Sequence, residues 1–344
     1  MKLLSMIAAG VALVAALAGP ATAERTITDS AGRQVTVPDR VSRVFAAGPP
    51  ASVLVYGLAP ELLAGWSRAP TPAEKEYLAA PYGELPELGR LTGRGDTANL
   101  EVVLRTKPDL ILDFGSVTET YVSLADRVQS QTKIPYVLID GRFANTSPAL
   151  RLAGKILGVP ERAERLAAYA ERTFAEIDEL LARIPEKQRA RVYLARGPDG
   201  LETGLRGSIN TEIIERAGGV NVAGAGDDQQ GIAQVQLEQV LAWNPQVIVT
   251  WDDRFYRAVK TNPTWAGIDA VRGGHVALSP GLPFGWIDRP PSLNRLIGLR
   301  WLADVLYPDR TGWDLRAETR EFYHLFYQVE LDDAKLDRLI GEAP

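Results

Sequence analysis

Apolar and polar positions alternate in blocks along the chain, and the period of the pattern changes from one block to the next. Short apolar runs bounded by turn residues predict buried strands at 41–48, 108–115 and 134–141. Residues 50–66 predict a helix followed by a further strand, and helical patterns separate the other runs. Strands that alternate with helices are typical of an α/β sheet, so the first half of the chain is predicted to be an α/β lobe.

A second set of the same kind follows later in the chain. Residues 190–197, 247–251 and 275–280 are predicted strands, and 211–219 is predicted to be helical. The remaining pattern, from Pro290 to Ile340, is largely helical. The second half is therefore predicted to be another α/β lobe that ends in a helical tail.

The first residues form a block of a different kind, which predicts export. Lys2 precedes an almost wholly apolar stretch, and Ala21-Thr22-Ala23 is a small-residue cleavage signal before Glu24. The alternative is a transmembrane anchor. It is disfavoured because the stretch is short for a bilayer core of about 30 Å and contains Gly19-Pro20.

One long, uninterrupted helical pattern lies between the two lobes. Apolar residues recur every three or four positions from Pro160 to Ile184, and a proline suits the first turn of a helix. At 1.5 Å per residue this helix is about 36 Å long, enough to cross from one lobe to the next. We therefore expect an α/β protein of two Rossmann-like lobes joined by one long rigid helix, with a ligand cleft between them. The predicted domains are a signal peptide at 1–23, an N-terminal lobe at 24–150, a linker region with the helix at 151–188, and a C-terminal lobe with its tail at 189–344.

The chain also contains an internal repeat. Residues 99–112 align without gaps on residues 236–249, at a constant offset of 137 positions. Each copy predicts a helix cap, an acidic first turn, a short helix, a proline and a buried strand. The identical pairs are Leu100/Leu237, Glu101/Glu238, Val103/Val240, Leu104/Leu241, Pro108/Pro245 and Ile111/Ile248.

The two glutamates of the repeat allow two interpretations. A carboxylate in the first turn of a helix interacts favourably with the helix dipole, so Glu101 and Glu238 can be purely structural. Alternatively, equal chemistry at equal positions of two lobes suits a partner with two-fold symmetry. The repeat therefore makes both glutamates candidate contacts for a dimeric receptor.

The amino-acid composition excludes several kinds of binding site. The chain has no cysteine, which excludes disulfides, thiolate metal sites and acylation at a cysteine. Its two histidines are His275, expected to be structural, and His324, expected to pack in the tail. Direct coordination of a soft metal is disfavoured, and we expect no cofactor; a metal cargo would arrive in a chelator or as an oxyanion. The formal net charge of −5 argues against a nucleic-acid partner.

Ligands of two-lobed α/β proteins bind where loops leave the carboxyl ends of the strands. Arginines and tryptophans dominate those loops here, and they suit carboxylates, catecholates or oxyanions beside a flat apolar wall. Each candidate also has a structural interpretation: an exposed turn, an ion pair with Asp199 or Glu202, or core packing of a proline-rich loop. The candidate ligand contacts are Arg94, Arg196, Arg206, Trp251, Trp286 and Arg289.

Motifs of common enzymes are missing from the sequence. There is no G-x-G-x-x-G after the first predicted strand, no G-x-x-x-x-G-K-[ST], no H-E-x-x-H and no G-x-S-x-G. Asp227-Asp228 and Asp252-Asp253 are neighbours on the chain, where side chains diverge, so they are poor acid/base pairs. We therefore do not expect an enzyme.

Taken in order, several short motifs resemble one family. They are D-x-x-G-R-x-V-x-V-P from Asp29 to Pro38, the two copies of the repeat, A-G-G-V-N at 217–221, and a proline-rich segment before the last helices. This layout resembles the helix-linked periplasmic binding proteins for ferric siderophores, haem, vitamin B12 and molybdate. In that family an acidic residue of each lobe pairs with arginines of the permease dimer, and Glu101 and Glu238 match those positions.

The resemblance implies a periplasmic, monomeric protein that delivers a small ligand to an ABC permease and its ATPase. An iron chelate or a related metal complex is the first ligand expected, and a molybdate- or tungstate-type oxyanion is the second. The two differ in pocket size, since a chelate needs a wide aromatic cleft and an oxyanion needs a small pocket of converging donors. A periplasmic two-domain enzyme and an adaptor without a ligand are the rival classes.

Overall fold

The computed structural model describes residues 23–93, 99–224 and 231–341. The described chain begins with an antiparallel hairpin of β1 (Glu24–Thr28) and β2 (Gln34–Pro38). The Asp29 carboxylate accepts hydrogen bonds from the backbone of Ala31 and Arg33 within the hairpin and pairs with the Arg33 side chain at 3.0 Å. It also accepts one from Leu138 N, 3.2 Å away in a later strand, which explains the D-x-x-G-R motif.

Two separate parallel sheets follow, one in each half of the chain. The first has the order β3-β4-β5 and the second has the order β11-β10-β6-β8. A small antiparallel pair, β7 with β9, lies beside the second sheet. The bounds are β3 Val44–Ala46, β4 Leu110–Gly115, β5 Tyr136–Asp140, β6 Arg191–Ala195, β7 Glu202–Gly204, β8 Val220–Asn221, β9 Ile232–Gln234, β10 Val247–Thr250 and β11 Val276–Leu278.

Helices connect the strands and close the chain. The first five lie before the long helix, and a π-helical segment, Tyr323–Tyr327, continues α12. The bounds are α1 Pro49–Leu58, α2 Pro72–Lys75, α3 Leu100–Thr106, α4 Glu119–Thr132, α5 Thr146–Leu157, α6 Pro160–Ala182, α7 Glu212–Arg216, α8 Leu237–Trp243, α9 Asp253–Val259, α10 Asp269–Arg272, α11 Arg295–Leu306, α12 Leu315–Phe322 and α13 Asp333–Ile340. Within the described ranges, no helix is both long and apolar enough to cross a membrane.

The two-lobe α/β prediction is confirmed, but one predicted strand is wrong. After α1 the chain enters a short 3-10 turn at Pro60–Leu62 instead of a strand. Leu63 and Trp66 then form only isolated bridges, to Val44 and Glu87. Pro60 starts the 3-10 turn and prevents the segment from forming an extended strand. The apolar residues there therefore pack as a loop.

The long helix begins at Pro160 as predicted and ends at Ala182, two residues before the predicted end. Its apolar stripe is buried, and the largest hydrophobic cluster joins this stripe to strand residues of both sheets. Leu112 of the first sheet and Leu194 of the second belong to the same cluster. Because one continuous core includes both lobes, α6 is a packed bridge and not a free linker.

The tail helices contact the N-terminal half of the chain. Tyr56 donates a hydrogen bond to the carbonyl of Tyr327 at 2.7 Å, and Tyr77 donates one to the carbonyl of Lys335 at 2.9 Å. Arg162, in the long helix, donates to the carbonyl of Leu325 at 3.0 Å. The tail therefore makes a second connection between the two halves.

Both copies of the repeat fold alike, as predicted. α3 leads to β4 and α8 leads to β10, and each helix ends at a residue in the left-handed region, Lys107 (φ 48°) and Asn244 (φ 41°). The Asn99 side chain caps α3 by accepting a hydrogen bond from Val102 N at 2.9 Å. At the start of α8 the Gln239 side chain accepts a hydrogen bond from Gln236 N at 2.8 Å, and Gln239 N donates to the Gln236 carbonyl at 3.1 Å. The repeat is therefore structural as well as sequential.

Candidate functional site

A cleft of about 900 Å³ lies between the two sheets, at the carboxyl ends of their strands. Pro49 follows β3, Ser116 follows β4, Arg196 follows β6 and Trp251 follows β10; all four line it. Parallel α/β sheets bind their ligands at this edge, where the connecting loops are free to carry different side chains. The position of the cleft agrees with the position expected from the sequence.

Aromatic side chains form much of the cleft wall. Trp66, Phe114, Tyr121, Trp251 and Phe284 all line it. The rings of Trp66 and Phe284 are 5.8 Å apart between centroids. Trp66 is almost wholly buried, yet part of its surface reaches the cleft. Flat apolar walls of this kind suit a ligand with planar or apolar surfaces.

Two arginines flank the indole of Trp251. The guanidinium carbon of Arg289 lies 4.5 Å from the ring centroid, and that of Arg196 lies 5.8 Å from it. Among the described residues, Arg289 has no carboxylate partner. Burial lowers the pKa of Arg289, and the neighbouring charge of Arg68 lowers it further. Arg289 is therefore a cation that forms no direct ion pair within the described part of the chain, at the surface of the cleft.

Arg196, in contrast, is paired within the protein. It forms ion pairs with Asp288 at 2.9 Å and with Glu202 at 3.3 Å, and Glu202 was one of the partners proposed by its structural interpretation. Asp288 also accepts a hydrogen bond from the Asn210 side chain. Burial raises the pKa of Asp288 to about 6, against the opposing effect of Arg196. Arg196 thus lines the cleft while its charge is largely compensated.

Asp113 is a second buried carboxyl at the cleft. It lies in β4 and accepts hydrogen bonds from the Tyr136 hydroxyl at 3.1 Å and the Thr92 hydroxyl at 3.3 Å. The backbone N–H of Phe114 donates to it at 2.9 Å. Burial raises its pKa to about 6, although all three donors favour the charged form. Each lobe therefore contributes one buried carboxyl whose charge can change near pH 6.

Two of the predicted ligand contacts lie away from the cleft. Trp286 is fully buried, and its indole N–H donates to the Tyr323 hydroxyl at 3.2 Å. A side chain at Gly298 would overlap the carbonyl of Trp286, so the loop packs tightly onto α11. Arg206 donates to the carbonyl of Asn221 at 2.9 Å and is not part of the cleft wall. Arg94 lies outside the described residues.

Sequence reasoning missed several residues of the cleft. Arg68, Asp113 and Tyr121 all line it. Asp113 had a detectable signal, because a single carboxylate interrupts the apolar run of Leu110–Gly115. Arg68 and Tyr121 had none, since an arginine in a polar loop and a tyrosine on a helix are ordinary surface residues.

Neither histidine is placed to hold a metal. His275 is exposed at the start of β11. His324 was expected to pack in the tail, and this was wrong: it is exposed, and its ring nitrogen bonds to Glu330. No group of histidine, aspartate and glutamate suited to a metal ion occurs within 23–93, 99–224 and 231–341.

Glu101 and Glu238 are both exposed in the first turns of α3 and α8. Within the described chain, neither forms an ion pair. A helix that leads into a parallel strand runs antiparallel to it, so its first turn lies towards the carboxyl edge of the sheet. Both glutamates are consequently on the side of their lobe where the cleft opens.

A cleft between two α/β lobes, with aromatic walls and an arginine that forms no ion pair with the described residues, defines a solute-binding protein. The chain belongs to the family of periplasmic binding proteins: residues 59–281 match the family described as "Periplasmic binding protein". This confirms the resemblance, and with it the role of a solute-binding component of an ABC importer instead of an enzyme.

Similar proteins cover nearly the whole chain. The molybdate-binding protein MolA of Haemophilus influenzae is 30% identical, covering 96% of this chain and 97% of MolA. The solved structure of an ABC transporter solute binding protein from Sulfurospirillum deleyianum superposes with a TM-score of 0.84 at 31% identity, over 92% of this chain and 98% of the other. The structure of MolA bound to molybdate gives a TM-score of 0.72 at 26% identity, over 90% and 99%.

Proposed function

We propose that this protein captures an anionic, metal-containing small molecule in its cleft, with a ferric chelate or related metal complex as the first candidate. The observation that carries the proposal is Arg289, stacked on Trp251 at the cleft surface without a carboxylate partner in the described chain. A guanidinium in this state suits an anion, and the adjacent indole suits a flat organic group. A cleft of about 900 Å³ is wide enough for a chelate.

A molybdate- or tungstate-type oxyanion is the second candidate. The observation that favours it is the 30% identity to the molybdate-binding protein MolA across almost the entire chain. Such an ion would occupy a small part of the cleft and would need several donors within hydrogen-bond distance. Arg289 and the hydroxyl of Ser116 are available at the cleft wall for this purpose.

The test is ligand binding by the purified mature protein. Native mass spectrometry and thermal unfolding are carried out with ferric catecholate and hydroxamate chelates, haem, cobalamin, molybdate and tungstate. A true ligand at 100 times its dissociation constant stabilises the fold by about 2.7 kcal/mol. Binding of a ferric chelate supports the first candidate, and binding of molybdate or tungstate alone supports the second.

Variants show whether binding occurs at the proposed position. Arg289→Gln is expected to weaken binding at least about tenfold, because a charge-assisted hydrogen bond is lost. Arg206→Gln, which removes an arginine outside the cleft, is the matched control and retains binding. No binding to the whole panel, or equal binding by Arg289→Gln and the wild type, would overturn the proposed ligand class.

Delivery to the membrane completes the proposed function. Glu101 and Glu238, one on each lobe, meet basic residues of a permease dimer, and its ATPase supplies the energy. Export through residues 1–23, a mature chain without a lipid anchor and a monomeric state belong to the same proposal. The cleavage signal at Ala21-Thr22-Ala23 supports export, and the absence of cysteine from the sequence supports a chain without a lipid anchor.

A further inference from the structure

Leu104 and Leu241 stand out on the surface of the protein. Across residues 23–93, 99–224 and 231–341 they are the only large hydrophobic side chains that are exposed, with 49% and 38% of their area accessible. A single exposed leucine is ordinary on a protein surface. These two, however, occupy equivalent positions of the internal repeat, 137 residues apart. The exposure of both leucines at equivalent positions therefore indicates one cause that is common to both lobes.

Each leucine shares a helix face with a proposed docking carboxylate. Leu104 follows Glu101 by three residues in α3, and Leu241 follows Glu238 by three residues in α8. Residues three apart are neighbours on a helix surface. The valine between them, Val103 in α3 and Val240 in α8, is fully buried and holds the opposite face against the core. Both helices therefore present one carboxylate and one leucine to the solvent.

We propose that each Glu–Leu pair is a single docking point and that the two leucines supply its apolar half. The partner is a membrane permease with two-fold symmetry, whose two subunits each present a basic side chain beside an apolar pocket. This rests on the proposed docking role of Glu101 and Glu238.

The chemistry of the pairs specifies that partner. Neither carboxylate has an ion pair in the described chain, so both can accept a cation from outside. A leucine inserted next to such a pair excludes water, which strengthens the electrostatic attraction and adds apolar burial. Equal pairs on two lobes require equal pockets on the partner, and a homodimer provides them.

The experiment measures docking and ligand binding separately. The mature protein is titrated onto its partner permease–ATPase complex, reconstituted in lipid nanodiscs, and the dissociation constant and ATPase stimulation are recorded. Leu104→Gln and Leu241→Gln keep size and helix propensity but remove apolar character. Each is expected to weaken docking about fivefold, and the double variant roughly 25-fold. Leu104→Met with Leu241→Met is the matched control and retains docking.

The carboxylates of Glu101 and Glu238 are tested in the same assay. Glu101→Gln with Glu238→Gln is expected to abolish ATPase stimulation. Glu119→Gln with Glu161→Gln, which changes two exposed first-turn glutamates of other helices, leaves it intact. Thermal unfolding verifies that all variants are folded, which is expected because every changed side chain is exposed.

The outcomes separate the two proposals. If the glutamate variant loses docking and the leucine-to-glutamine variants do not, the leucine proposal is overturned and the docking role stands. If neither set changes docking, both are overturned. If sedimentation shows a dimer of this protein that only the glutamine variants at Leu104 and Leu241 dissociate, the leucines serve self-association and the permease assignment is wrong.

Discussion

The carboxyl of Asp113 lies within an otherwise apolar strand and is almost completely buried at the cleft. Tyr136, Thr92 and the backbone of Phe114 donate hydrogen bonds to it, yet burial still raises its pKa to about 6. The raised pKa means that the folded protein holds this proton more tightly than the unfolded chain does. The contribution of Asp113 to stability is therefore largest below the ordinary pKa of about 3.9 and declines as pH rises to about 6.

The variant Asp113→Asn is expected to remove this pH dependence of the unfolding free energy. Between pH 5.0 and pH 7.5 the wild type is expected to lose about 1.4 kcal/mol of unfolding free energy through this carboxyl, and the variant is not. Urea unfolding at the two pH values measures the difference, with exposed Asp39→Asn as the matched control. An equal change in the wild type and Asp113→Asn would contradict the assignment.

At the scale of elements, the repeat shows how one local design serves both lobes. A cap, a seven-residue helix, a left-handed residue, a proline and a buried strand recur in α3–β4 and α8–β10. The caps differ, because Asn99 accepts directly from Val102 N whereas Gln236 exchanges hydrogen bonds with Gln239. Short helices are marginal by themselves, so each relies on its cap and its buried face.

Asn99→Ala is expected to destabilise the protein by about 1 kcal/mol, since the first turn of α3 loses its side-chain acceptor. Asn99→Asp retains an acceptor and is the matched control. Chemical unfolding of the three proteins measures the difference. A stability of Asn99→Ala equal to that of the wild type would show that the cap contributes nothing.

At the scale of the whole molecule, two connections restrain the lobes. The core of α6 joins residues of both sheets, and the tail hydrogen-bonds to Tyr56 and Tyr77 in the N-terminal half. A wide hinge motion would have to break packed apolar contacts along α6 as well as the tail contacts. Packed interfaces of this kind permit small shifts instead of large rotations.

Ligand binding is therefore expected to change the overall dimensions very little. The mature chain should have a radius of gyration of about 20 Å. Small-angle scattering with and without a bound ligand is expected to show a difference below about 1 Å. A decrease of several Å would indicate a wide closure and would contradict the restraint by α6 and the tail.

Much of the architecture follows from the sequence alone. The period of apolar positions defines α6 and most of the strands, because these patterns depend on which face of a local element is buried. The repeat predicted two helix–strand units with exposed glutamates, and both are present. The predicted strand after α1 failed because Pro60 turned an apolar run into a 3-10 turn.

The composition of the cleft was decided by the tertiary structure. Trp66, Trp251 and Trp286 have the same side chain, but the first two reach the cleft and the third is buried beneath α11. Arg196 and Arg289 also differ only through their surroundings, since Arg196 forms ion pairs with Asp288 and Glu202 whereas Arg289 forms none with the described residues. Sequence patterns report whether a residue is apolar or charged. Which residues converge on a site depends on contacts between distant segments, which only folding creates.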